Sequence, residues 1–161
     1  MYKPILFAVI LTTAACNNTC PSTLQQQTEQ KAKTYFEVYS QRSDWNRFLS
    51  FYRDDIQFFD TNLRFKATGI NEFKAFYNWP GPGFEKLSPS QAHLEVESLV
   101  VGDSTAVGRG HFNPFYWHGQ LQEWDDGSFT IWLYFDRQGK IYRQYDFITY
   151  PAGLLTGENR E

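Results

Sequence analysis

The stretch Phe51-Tyr-Arg-Asp-Asp-Ile-Gln-Phe-Phe-Asp60 divides the chain into two regimes of hydrophobic period. Before it, apolar residues recur at helical spacing. After it, one short helix excepted, they alternate as in long antiparallel strands. The stretch itself takes the end of a helix, turns on Asp54 and Asp55, and enters a short aromatic strand, Ile56 to Thr61, that carries Asp60 at its inner end. A carboxylate there is costly unless it is paired or used.

Upstream, a first helix is predicted over about Leu24 to Gln41, with Ala32, Tyr35, Phe36 and Tyr39 on one face. Ser43 or Asp44 caps a second, in which Trp45, Phe48, Leu49 and Tyr52 repeat the spacing until Asp54-Asp55 breaks it. Lys66-Ala-Thr-Gly69 reads as a reversal, and Thr68 as the N-cap of a third helix with Ile70, Phe73 and Tyr77 on its apolar face. Pro80-Gly-Pro-Gly83 ends it. Strands follow: Ala92 to Val101 with Leu94, Val96, Ser98 and Val100 on one side, a Gly102-Asp103 hairpin, and Thr105 to Phe112. Pro114 marks a bulge or an edge. Tyr116 to Trp124, a turn at Asp125-Asp126-Gly127, and a final hairpin of Ser128 to Asp136 with Lys140 to Tyr150 complete the pattern. The expected fold class is α+β: three helices from the N-terminal half packed on a strongly curved, mainly antiparallel sheet that closes into a cone-shaped barrel.

The 161 residues suffice for one domain. Its 15 Phe, 10 Tyr and 5 Trp against a single Met point to a core of flat side chains or a cavity lined by them. A formal charge of −3 without a Lys/Arg run argues against a nucleic-acid surface. Lys3, the apolar run Ile5 to Leu11 and the small residues Thr12 to Ala15 resemble a signal segment over residues 1–15. Small residues before Cys16 resemble the lipobox of bacterial lipoproteins, although Thr13 stands where Leu, Val or Ile is usual. That resemblance implies a lipid anchor on Cys16 at a bacterial cell envelope; ordinary secretion after cleavage near Ala15, or a Cys16–Cys20 bridge, are the alternatives. Residues 16–27 read as a polar tether, 28–155 as the domain and 156–161 as a polar tail.

Three stretches in order, Phe51 to Asp60, Gly69-Ile-Asn-Glu-Phe-Lys-Ala-Phe76 and Phe135-Asp-Arg-Gln-Gly-Lys-Ile-Tyr-Arg143, resemble the nuclear transport factor 2-like superfamily, in particular its SnoaL-like and ketosteroid-isomerase-like members. The resemblance covers roughly Gln30 to Pro151 and implies a cone-shaped barrel, often dimeric through the outer sheet face. It places Asp60 where isomerase-like members hold a proton-shuttling aspartate, and Tyr35 where they hold an oxyanion-stabilising tyrosine. Ile131 stands where those enzymes have a protonated carboxylic acid, which argues against a steroid isomerase. Gln144-Tyr145-Asp146 resembles a last-strand signature of the cyclases, with Thr149 in place of a second aspartate found in some members. Fold alone does not fix function in this superfamily.

A leading function and two alternatives are therefore expected. The first is a secreted or anchored domain that binds a small apolar molecule in an aromatic cone, with Phe58, His111, Trp117, Trp132 and Tyr145 as its lining. The second is a cofactor-independent acid–base enzyme of isomerase, cyclase, hydratase or dehydratase type, using Asp60, Asp146 and Tyr35. A protein-interaction module working through the sheet face is a third. Blander roles compete: Asp60 bonded to backbone amides or Arg64, Asp146 paired with Arg143 or Arg109, and Tyr35 a satisfied core tyrosine. His93, His111 and His118 match no metal-ligand spacing, so neither metal nor cofactor is expected. Gly108-Arg-Gly110 is too short for a phosphate loop, and both cysteines lie outside the domain, which leaves no nucleophile constellation.

Overall fold

Residues 21–123 and 127–151 are described by the computed structural model. The signal segment, Cys16, Cys20, Trp124, the Asp125-Asp126 turn and the polar tail lie outside the described residues. Helix α1 spans Thr23–Gln41, with the Ser22 side chain accepting from the Gln25 amide at 3.0 Å. Residues 23–27, expected as tether, thus form its first turn. The Gln25 side chain secures them by donating to the Val101 carbonyl at 2.8 Å. The helix buries Ala32, Tyr35, Phe36, Val38 and Tyr39 and ends at Arg42, whose φ of 46° reverses the chain. Helix α2, Trp45–Ser50, is capped by the Asp44 carboxylate on the Arg47 amide at 2.9 Å.

That second helix stops earlier than its apolar spacing predicts. Tyr52 opens strand β1, Tyr52–Asp60, by pairing with Ile141, and the register then shifts before Gln57. The irregular segment turns Arg53, Asp54 and Asp55 to solvent, where Arg53 and Asp55 pair at 2.6 Å, so the carboxylates need not break the strand. Lys66-Ala-Thr68, expected in the reversal Lys66 to Gly69, instead belong to β2, Phe65–Thr68, which pairs with β1, and the reversal falls on 61–64 with Arg64 at φ 53°. Helix α3, Ile70–Tyr77, starts from Gly69 at φ 88° rather than from a Thr68 hydroxyl; Glu72 instead accepts from the Thr68 amide at 2.8 Å. A left-handed start of this kind is one that glycine adopts without strain.

Strand β3 covers Phe84–Lys86, β4 Leu94–Val101 and β5 Thr105–Phe112. The expected inward set on β4 is only half present. Leu94 and Val96 keep the inward face, and a register shift between Val96 and Ser98 then reverses the alternation, so Leu99 and Val101 turn to the core and Val100 is 69% exposed. The single strand expected over Tyr116 to Trp124 is split by His118 and Gly119, both at positive φ, into β6, Phe115–Trp117, and β7, Gln120–Gln122. Strands β8, Ser128–Phe135, and β9, Ile141–Ile148, form the long hairpin.

The main sheet runs β2-β1-β9-β8-β5-β4, and β3-β6-β7 form a small second sheet. Every pairing is antiparallel except β1 with β9, which is parallel. Helix α1 packs on β4 and β5, and α3 on β1 and β2. Much of the aromatic content goes into the core between them: the Phe48 ring lies 4.1 Å from Trp79, 5.2 Å from Tyr39, 5.4 Å from Tyr52 and 5.6 Å from Tyr35. Gly108 and Gly110 serve close packing. A Cβ on Gly108 would sit 2.2 Å from the Phe36 ring, and one on Gly110 1.8 Å from the Glu95 carbonyl oxygen.

Candidate functional site

The parallel pairing of β1 with β9 sets Asp60 directly beside Asp146. Each is only 1% exposed. Asp146 accepts from the Tyr77 hydroxyl at 2.7 Å on one oxygen and from Gln144 Nε2, also at 2.7 Å, on the other. Gln144 Nε2 further donates to the Tyr77 hydroxyl oxygen at 2.8 Å. On its other side, Gln144 Oε1 accepts from Tyr52 at 2.8 Å and Tyr35 at 3.3 Å, and the two tyrosine hydroxyls lie 3.0 Å apart. Asp60 accepts from the Leu63 amide at 2.8 Å and from Tyr150 at 2.5 Å. Gln144 is thus the hub that connects a pair of tyrosines to one of the two carboxylates.

Burial pushes Asp146 up to about 7. Its bonds from Tyr77 and Gln144 favour the ionised form and pull the other way, while the charge of Asp60 reinforces the rise. Asp60 is raised as well, mainly by burial, against the bonds from Tyr150 and the Leu63 amide. Burial also raises Tyr35, Tyr52 and Tyr77 far above their usual range, so all three remain proton donors at neutral pH. Two adjacent carboxyls that both resist ionisation can hold and pass a proton near neutrality.

Of the acid–base residues singled out in the sequence, Asp60 and Asp146 meet. Tyr35 joins them only through Gln144, and Tyr77 is the tyrosine that touches a carboxylate. Ile131 is fully buried opposite Asp146 on β8. The five residues expected to line the cone separate. Phe58 is fully buried among Phe73, Phe76 and Tyr77. Trp132 is 38% exposed, and its cross-strand partner Tyr145 stacks on Phe59 at 4.8 Å, which places both on the outer sheet face. The His111 side chain is 42% exposed, with Nδ1 3.0 Å from Glu97 and Nε2 4.0 Å from Glu95. Trp117 is half-buried on the small sheet beside His118. These four positions therefore stand apart from the carboxylates, for a reason of strand parity. On β5 the inward positions alternate Ala106, Gly108, Gly110, which turns His111 outward; on β8 Ile131 and Leu133 point in, which turns Trp132 outward.

Gln144, Tyr52, Tyr77 and Tyr150 were not singled out as site residues by the sequence. One signal for Gln144 was present: alternation on a strand puts residues 144 and 146 on one face, so an inward Asp146 carries Gln144 inward with it. Among the described residues no group of three or more His, Cys, Asp or Glu is placed to hold a metal ion. A shallow groove of about 330 Å³ between α1 and β4, lined by Phe36, Leu94 and Val96 with Lys33 and Glu37, includes none of the carboxylate network.

No family model and no curated protein matches this sequence. Solved structures do match, at low identity. A candidate ketosteroid isomerase of Kribbella flavida superposes with a TM-score of 0.56 at 20% identity, over 79% of this chain and 81% of that one. A candidate SnoaL-like polyketide cyclase of Shewanella putrefaciens gives 0.57 at 19%, over 83% and 96%. A candidate hydroxylase of Streptomyces galilaeus gives 0.59 at 14%, over 84% and 87%. The fold is therefore the nuclear transport factor 2-like cone, as found in SnoaL-like proteins. In this chain the cone holds a buried aromatic cluster with two carboxylates set in its wall.

Proposed function

We propose that the chain binds a small, largely apolar molecule at the aromatic interior of the cone, with Asp60 and Asp146 meeting the polar end of that molecule. The observation that carries this reading is the side-by-side placement of two buried carboxylates. A domain with no use for them would gain by replacing them with apolar residues, since burying a carboxylate is costly. Tyr150 is half-buried and its hydroxyl covers Asp60, so the ligand reaches Asp60 by displacing that hydroxyl.

A second reading, cofactor-independent proton transfer, is favoured by the Asp146 value near 7. Ionised Asp60 would take a proton from carbon next to a carbonyl. The electron pair of the broken C–H bond moves to the carbonyl oxygen, and protonated Asp146 donates a hydrogen bond to the enolate. Flat ketones and phenols in deuterated buffer test both readings. Saturable binding is expected, together with deuterium incorporation beside the carbonyl that drops at least a hundredfold in Asp60→Asn. Binding without exchange would remove catalysis, and no saturable binding across the set would contradict the reading altogether.

The domain of residues 28–155 is placed by this proposal at a bacterial envelope through a lipid on Cys16, or secreted; the mass of the mature N-terminus distinguishes these. The exposed Trp132 and Phe147 on the outer face support pairing of two copies there. Sedimentation of Trp132→Arg as a monomer beside a dimeric parent would support that pairing, and equal sedimentation would refute it.

A further inference from the structure

A second polar cluster sits at the end of α1, and the carboxylate network does not use it. The Arg42 guanidinium carbon lies 3.9 Å from the Phe84 ring centre and 5.4 Å from that of Trp79, and Nη1 is 3.4 Å from His93 Nε2. Three nitrogens here are buried without a hydrogen-bond partner: Arg42 Nε, Trp79 Nε1 and His93 Nδ1. Neither Arg42 nor the nearby Lys86 has a carboxylate partner among the described residues. Burial lowers Arg42 to about 10, which leaves it charged at neutral pH. Burial, with the charges of Arg42 and Lys86, pushes His93 far down and keeps it neutral.

The chemistry of the three orphans follows. A guanidinium has donors only, so Arg42 Nη1 donates and His93 Nε2 accepts. The neutral ring then carries its proton on Nδ1. All three unpartnered nitrogens are therefore donors, beside a half-buried cation that has no carboxylate partner among the described residues. A water molecule offers two acceptor sites and no charge. An oxyanion offers several acceptors and the missing negative charge.

The cluster lies at the same end of the cone as the carboxylate pair. Cross-strand register runs from Val96 through Gly110 and Phe129 to Ile148, two residues past Asp146, and His93 precedes β4. Tyr39 bridges the two, with its ring 6.1 Å from His93, 5.5 Å from Trp79 and 5.9 Å from Tyr77.

We propose that Arg42, Trp79 and His93 form an oxyanion-binding subsite, so that the molecule held in the cone carries a carboxylate, sulfate or phosphate on a mostly apolar body. The subsite stands on its own donors; its assignment to the cone's ligand rests on the proposed function. The test follows the indole N–H signal of Trp79 in the full chain by proton–nitrogen NMR, assigned by its loss in Trp79→Phe. Sulfate, acetate, octanoate and octanol are titrated at constant ionic strength balanced with chloride.

Saturable shifts are expected from sulfate, acetate and octanoate, with octanoate at least tenfold tighter than acetate or octanol. Arg42→Gln is expected to weaken each anion at least tenfold and to leave octanol unchanged. Anion binding with no gain from the octyl chain would support a subsite for free oxyanions and contradict an apolar interior site. Octanoate and octanol binding alike, both indifferent to Arg42→Gln, would overturn the subsite and leave the cone reading standing. No saturable shift from any anion would overturn it outright. Should Arg42→Gln fail to fold, the comparison of octanoate with octanol in the native chain decides.

Discussion

Replacing Gln144 with leucine is expected to lower the stability of the fold by about 3–5 kcal/mol, a large share of what a single domain possesses. Leucine fits the space but brings no hydrogen bonds. Gln144 is fully buried and bonded on one side to Tyr35 and Tyr52 and on the other to Tyr77 and Asp146. The tyrosine hydroxyls keep each other, and Tyr77 keeps Asp146. What is stranded is one Asp146 oxygen and at least one tyrosine proton, each in a place without water to replace the partner. Urea unfolding of the variant reads the loss from the midpoint. A loss below about 1 kcal/mol would mean that the network contributes little beyond its apolar contacts.

The second large effect is a dependence of stability on pH whose sign is the reverse of ordinary acid denaturation. Folding moves Asp146 from an ordinary 3.8 to about 7, so the folded state holds the proton more tightly than the unfolded chain. Its contribution is fully present below pH 4, declines as pH rises towards 7 and is lost above it. Across that window the ionised form becomes costlier by about 4 kcal/mol. Asp60, also raised, acts in the same direction. Asp55, held low by Arg53, acts in the opposite direction, but it is exposed and its effect is small. Asp146→Asn is expected to flatten the decline and to be more stable than the parent at pH 8. Unfolding midpoints measured from pH 4 to 8 check both. An equal slope in parent and variant would assign the pH dependence elsewhere.

The helices and the hairpins could be read from the sequence because their signals are local. Period 3.6 in Ala32, Tyr35, Phe36 and Tyr39 found α1, and Gly102-Asp103 found the turn between β4 and β5. Irregular backbone was less legible. The shift that lets Tyr52 join β1 and the bulge that turns Val100 outward each insert residues that simple alternation cannot count. Asp60 stood out as a charge at the end of an apolar strand and Asp146 through the resemblance of Gln144-Tyr145-Asp146 to a last-strand signature, but their meeting depends on a parallel pairing between segments some 86 positions apart, and no local pattern encodes it. His111 was misplaced for a related reason. The inward neighbours that define its face are Gly108 and Gly110, which have no side chains with which to announce a buried side.

Asp60 and Asp146 form a buried pair poised to hold a proton near neutrality. Carboxyl-carbon NMR of the selectively labelled protein, followed through pH 3 to 9, tests it most directly. One titration near 7, assigned to Asp146 by its loss in Asp146→Asn, together with an Asp60 midpoint above the ordinary aspartate value, is the expected result. Two midpoints at or below the ordinary value would mean two solvated or ion-paired carboxylates, and would contradict the account.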